Sequence, residues 1–118
     1  MTFPNAAPEL MIYAGDTFSQ QFIFLDSVTG DPIDLLDAGW LDWKAEYRTD
    51  RYATNFIAFD VDSSDSPDGS ITVSMTAEVT ATIHERGVWD LQATNEFDDR
   101  VRTFVTSFVY VEKDVTRG

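Results

Sequence analysis

The chain has no cysteine, which removes disulfides, thiolate nucleophiles and zinc-thiolate centres together. Stability has to come from packing, with assembly as the other available source. Basic residues are scarce: there are two lysines, Lys44 and Lys113, and 8 Lys plus Arg stand against 21 Asp plus Glu, for a formal charge of −13. Affinity for nucleic acid is mostly phosphate neutralisation, so such a surface repels a duplex and no nucleic-acid partner is expected. No apolar run approaches the roughly 20 residues that a membrane helix needs. The opening Met-Thr-Phe-Pro-Asn-Ala-Ala-Pro has neither the basic start nor the apolar stretch of a secretory signal. A soluble protein without a membrane partner is the expectation.

What is present is apolar matter in quantity. Over 118 residues the hydrophobic fraction is 43% and the aromatic fraction 14%, enough to offset chain entropy in one domain and too little length for two. We read residues 1–118 as a single domain, with 1–9 as an N-terminal extension and 113–118 as a C-terminal tail. Asp far outnumbers Glu. The plain reading of that acidity is a solvated surface; the sharper one is salt adaptation, because screening shortens to about 3 Å at 1 M salt and self-repulsion fades.

Period-two alternation recurs along the chain between Gly, Asp, Pro and Ser punctuation, and helical periodicity is nearly absent. Strands are expected at 10–13, 17–25, 40–48, 55–62, 70–75, 89–94 and 100–112, with a short one at 33–36 and one helical turn near 76–83. Gly15-Asp16 reads as a hairpin or corner, and 63–69 as a loose polar hairpin tip. In 40–48, Leu41, Trp43, Ala45 and Tyr47 share one face. In 100–112, Val101, Thr103, Val105, Ser107, Val109 and Val111 oppose Arg102, Phe104, Thr106, Phe108 and Tyr110, so both faces are largely apolar. Seven or eight such strands, with turns every 8 to 12 residues or so, describe an all-β fold, a single immunoglobulin-like antiparallel β-sandwich.

No constellation of residues carries catalysis. His84, the one histidine, lies in a turn, and no Gly-x-Ser-x-Gly elbow exists to give a serine a base, so no catalytic residues and no cofactor are assigned. Asp60, Asp62, Asp65 and Asp68 form a weak calcium candidate: their oxygens are spaced along a loop, but the order is not that of an EF-hand, and an acidic turn is the default. Trp40, Trp43 and Trp89 suggest a sugar-stacking platform, but Trp43 and Trp89 fall on the inward phase of their strands. Trp40 is out of phase with its neighbours and reads as a contact residue. With Phe104, Phe108 and Tyr110 it makes up the candidate assembly contacts.

Several fragments occur in a familiar order: Gly15-Asp16-Thr17-Phe18, Gly30-Asp31-Pro32-Ile33-Asp34-Leu35, Trp43 to Arg48, and Asp68 to Met75. Glu78 to Ile83, Trp89-Asp90-Leu91, and Val109-Tyr110-Val111 running into Asp114-Val115-Thr116-Arg117 complete the series. In this order they resemble the small β-sandwich family of tailed phages typified by a collar protein that anchors side tail fibres (LtfC-like). The resemblance spans roughly residues 10–117. The chain departs from it at Ser107-Phe108, where many members have a Gly, and in the Asp-rich loop at 63–69. The resemblance implies a non-enzymatic virion structural protein, a ring-forming or adaptor component of the tail tip, baseplate or fibre-anchoring collar. It would be made in the host cytoplasm, reside in the virion tail and partner other virion proteins and copies of itself in a homo-oligomeric ring. Capsid decoration or a head-tail neck role is the alternative, and a carbohydrate-binding module a further one.

Overall fold

In a computed structural model that describes residues 9–113, the period-two segments form seven strands: β1 Leu10–Ala14, β2 Phe18–Ile23, β3 Trp40–Arg48, β4 Ile57–Asp62, β5 Ser70–Met75, β6 Gly87–Asn95 and β7 Val101–Lys113. A 3-10 turn, Ser66–Asp68, precedes β5, and a four-residue helix α1, Ala77–Thr80, links β5 to β6. The expected strand at 33–36 does not form: 35–39 is a turn, and beside it Pro32 makes a single bridge with Leu25, its ring having no N–H to extend a ladder.

The hydrogen-bonded order is β1-β7-β6-β3-β4-β5-β2, and it folds over at β4 into two packed layers. The first half of β4 pairs with β3 (Phe59 with Ala45) and the second half with β5 (Asp60 with Ser74), so one strand turns the corner between layers. All pairs are antiparallel except β1 with β7, which is parallel. The core lies between the layers: Phe22 of β2 meets Trp89 of β6 with ring centroids 5.3 Å apart, and Phe59 meets the same indole at 5.8 Å. Leu10, Ile12, Leu35, Ile71, Val73, Ile83, Leu91 and Val109 fill the rest, each contributing roughly 1.5–3 kcal/mol by leaving water.

At the opposite side from β4 the two end strands of the order, β1 and β2, are consecutive in sequence and do not pair. Gly15-Asp16 is therefore a corner between layers, not a hairpin. It is pinned by the buried Thr80 of α1, whose hydroxyl accepts from the Gly15 N–H at 3.0 Å and donates to the Asp16 carbonyl at 2.7 Å. The tip at 63–69 is not loose either. Ser66 is buried, the Gly69 carbonyl accepts from the Phe24 N–H at 2.9 Å, and Gly69 sits at φ +77° so close to the Phe24 carbonyl that a Cβ would reach it at 2.8 Å.

Two β-bulges depart from simple alternation. On β3, Asp42 and Trp43 together oppose the single residue Ala93 of β6, with Asp42 at φ +54°. On β7, Phe104 is an extra residue between Thr103, which pairs with Gln92, and Val105, which pairs with Leu91. Both bulges flank the same stretch of β6, and each turns an aromatic inward. Phe104 packs on Trp43 (4.8 Å), edge-on to Trp40 (4.9 Å) and on Phe24 (5.7 Å). Among the described residues no helix is long and apolar enough to cross a membrane.

Candidate assembly surface

The bulges revise two of the four candidate contacts. Trp40 is 1% exposed and Phe104 7% exposed, so both are core residues and not surface contacts. The physical reason is the one-residue slip at each bulge, which moves every side chain beyond it to the opposite face. Trp40 thus pairs across from the buried Asn95, whose amide donates to the Ala38 carbonyl at 3.1 Å, and lies under the Arg100 guanidinium at 5.5 Å. Phe108 and Tyr110, beyond the β7 bulge, stay on the outer face, with Phe108 51% exposed and Tyr110 half-buried.

Around these two the β-register assembles a patch. Leu10 and Ile12 point into the core, so Met11 and Tyr13 point out, and Met11 lies directly across from Tyr110. Phe108 lies directly across from Val88, which lies across from Arg48; Thr106 faces Asp90, and Asp90 faces Glu46. The loop at 49–56 rises beside these rows. It is fastened by Arg48, which donates to the Ala53 carbonyl at 3.0 Å, pairs with Glu46 at 2.5 Å and lies over the Phe56 ring at 5.0 Å. Tyr52 on this loop is 86% exposed. Arg86 lies over the Tyr110 ring at 5.7 Å. Two shallow depressions result, one of about 250 Å³ floored by Val88, Asp90 and Thr106, the other of about 400 Å³ between Tyr52, Arg86 and Phe108; Arg51 and Val88 border both.

Asp90 is the strained member of the patch. One of its carboxylate oxygens is buried with no hydrogen-bond partner, and like charges stand directly opposite each other where it faces Glu46. Burial, then the Glu46 charge, raise its pKa above the usual carboxylate value, and Arg48 only partly offsets them.

The remaining sequence candidates are not drawn into a site. Asp60 and Asp62 lie on β4 and Asp65 and Asp68 bracket the 3-10 turn, all exposed, and among the described residues no three acidic or histidine side chains converge as metal ligands. Asp62 instead has its pKa lowered by the Ser64 hydroxyl and then by the Ser64 N–H, from which it accepts at 2.9 Å. His84 is exposed on the turn between α1 and β6. A sugar-stacking platform loses its basis, because Trp40 and Trp89 are buried and Trp43 is partly buried against the Phe104 ring. The patch members that the sequence reading missed divide in two. Met11, Tyr13, Val88 and Asp90 follow from the alternation of their strands, whereas Tyr52, Arg51 and Arg86 lie on loops that carry no periodic signal.

No protein-family model matches the chain, and no relative was found among curated proteins. Among solved structures the chain is similar to the natural killer cell receptor NKp44, a triggering partner in natural cytotoxicity. The identity is 18%, the match covers 92% of this chain and 100% of that one, and the TM-score is 0.51. The fold is immunoglobulin-like. A second structure, AggA, the major subunit of aggregative adherence fimbriae type I from Escherichia coli, shares 10% identity over 91% of this chain and 90% of its own, at a TM-score of 0.38. At such identities the likeness concerns the fold alone.

Proposed function

We propose that this chain is a non-enzymatic structural protein of a tailed-virus particle, a ring-forming or adaptor subunit of the tail tip, baseplate or fibre-anchoring collar. The resembling fragments support this by where they lie. Gly15-Asp16-Thr17 makes the corner between layers, Glu78 to Ile83 carries the Thr80 that pins it, and Trp43 to Arg48 begins within a bulge. Asp68 to Met75 holds the Gly69 contact. The fragments therefore sit at features that give this sandwich its particular shape. The closing Asp114-Val115-Thr116-Arg117 lies outside the described residues.

The observation that carries the reading is the single open seam. Because β4 joins the layers on one side, the edges that are free among the described residues, β1 and β2, lie together on the other, joined by the corner at Gly15. Free β edges are natural sites of strand addition between subunits, and a head-to-tail contact repeated around an axis closes a ring. Other virion proteins and further copies of the chain are the partners this reading implies. Mass spectrometry of purified particles tests it. The chain is expected among the structural proteins in stoichiometric amount, and its absence from particles made by a host that expresses it would overturn the proposal. If it is present, fractionated tails and capsids distinguish a tail location from capsid decoration.

A further inference from the structure

The outer face of the β1-β7-β6-β3 layer is chemically complementary to itself. Val88 and Asp90 point outward from β6, and Arg86 in the turn just before it lies over Tyr110, so a cation, an apolar side chain and a carboxylate follow one another along this face. Beside Val88 stands the half-exposed Phe108, and the stripe continues through Tyr110 to Met11 on β1. The Asp90 carboxylate faces that of Glu46, so a cation brought onto its outer side relieves like-charge repulsion.

We propose that two copies of this chain pair through this face about a two-fold axis that runs across the strands along Phe108 and Val88, bringing Arg86 of each copy onto the partner's Asp90. Rotation about that axis reverses the order along β6 and leaves the order across the strands unchanged. Phe108 then meets its own copy, and the cation-to-carboxylate contact forms twice. Arg48 also lies on the axis, and there its charge is held by Glu46 at 2.5 Å. A uniformly acidic partner would face Asp90 and Glu46 with like charge, and a uniformly basic one would face Arg86 and Arg51. A second copy offers a cation to Asp90 and a carboxylate to Arg86.

The rest of the surface favours this site too. On a chain of net charge −13, copies repel one another over most approaches. Arg48, Arg51 and Arg86 gather at this one patch, so here two acidic molecules come together with least repulsion. The inference stands whether or not the protein belongs to a virion, and any ring built from such pairs holds an even number of copies.

Sedimentation velocity on the full chain over a wide concentration range tests it, with circular dichroism to check that each variant is folded. The wild type is expected to form pairs, or even-numbered assemblies of pairs. Phe108→Asp, and separately Arg86→Glu in its exposed turn, are each expected to weaken pairing about tenfold or more, the scale of a central interface residue. Arg86→Glu and Asp90→Lys chains are each expected to stay monomeric alone and to pair when mixed, because the mixture restores two opposite-charge contacts. A wild type that remains monomeric throughout, an odd-numbered assembly, a Phe108→Asp chain that pairs undiminished, or folded charge variants that fail to pair on mixing would each overturn the proposal.

Discussion

Thr80 shows how much one side chain can decide. Its hydroxyl satisfies the Gly15 N–H and the Asp16 carbonyl at the only covalent link between the two free edges. Thr80→Val keeps the shape and removes both hydrogen bonds from a buried side chain. The expected loss is about 2–3 kcal/mol in denaturant unfolding, with Thr80→Ser recovering most of it. Asp90 provides the opposite case, a residue that costs stability. Its folded-state pKa is raised, so the protonated carboxyl is tolerated and the ionised one penalised; stability is fully present below the unfolded-state value and declines as pH rises through the folded-state value. Asp90→Asn is therefore expected to stabilise the monomer at neutral pH by about 0.5 kcal/mol, a value kept small because half of the carboxylate is in water. The gain should vanish in acid below the normal carboxylate range, as thermal unfolding across pH would show. If Asp90 meets Arg86 of a second copy, Asp90→Asn is expected to weaken pairing in sedimentation velocity while strengthening the fold, which separates an interface role from a structural one.

At the scale of elements, the bulges on β3 and β7 set the division between core and surface. Phe104→Ser is expected to destabilise the fold by about 3–4 kcal/mol, because it empties a place among Trp40, Trp43 and Phe24. Phe108→Ser, four residues along the same strand, should cost under about 1 kcal/mol, since that ring is half in water. Urea unfolding of both variants checks the contrast, and equal losses would contradict it. Most of this layer was legible in sequence. Alternation placed all seven strands, and Gly15 and the polar 63–69 stretch marked the breaks. A bulge, however, is one residue in a period of two, and nothing in the local composition of Leu41 to Lys44 or Thr103 to Val105 announces it. Strict alternation therefore sent Phe104 outward. Trp40 was misread because its phase was counted from residues beyond the β3 bulge.

For the whole molecule, charge and connectivity matter most. At −13 the fold works against its own repulsion, which salt screens from a range of about 30 Å at 0.01 M to about 3 Å at 1 M. The melting temperature is expected to rise by several degrees over that range in calorimetry, and a flat or falling trend would show that the acidic surface exerts no net strain. Connectivity gives the sandwich one closed side at β4 and one open seam between β1 and β2, with the self-complementary face adjoining it through β1. A molecule so arranged can meet different neighbours through edge and face, which is what a subunit of a larger particle requires. The most direct test is a cryo-electron microscopy reconstruction of the intact particle. The account predicts density for this sandwich in the tail, with the β1-β2 seam against a neighbouring subunit and the Phe108 face covered. A particle without the sandwich, or one in which seam and face both look onto solvent, would contradict it.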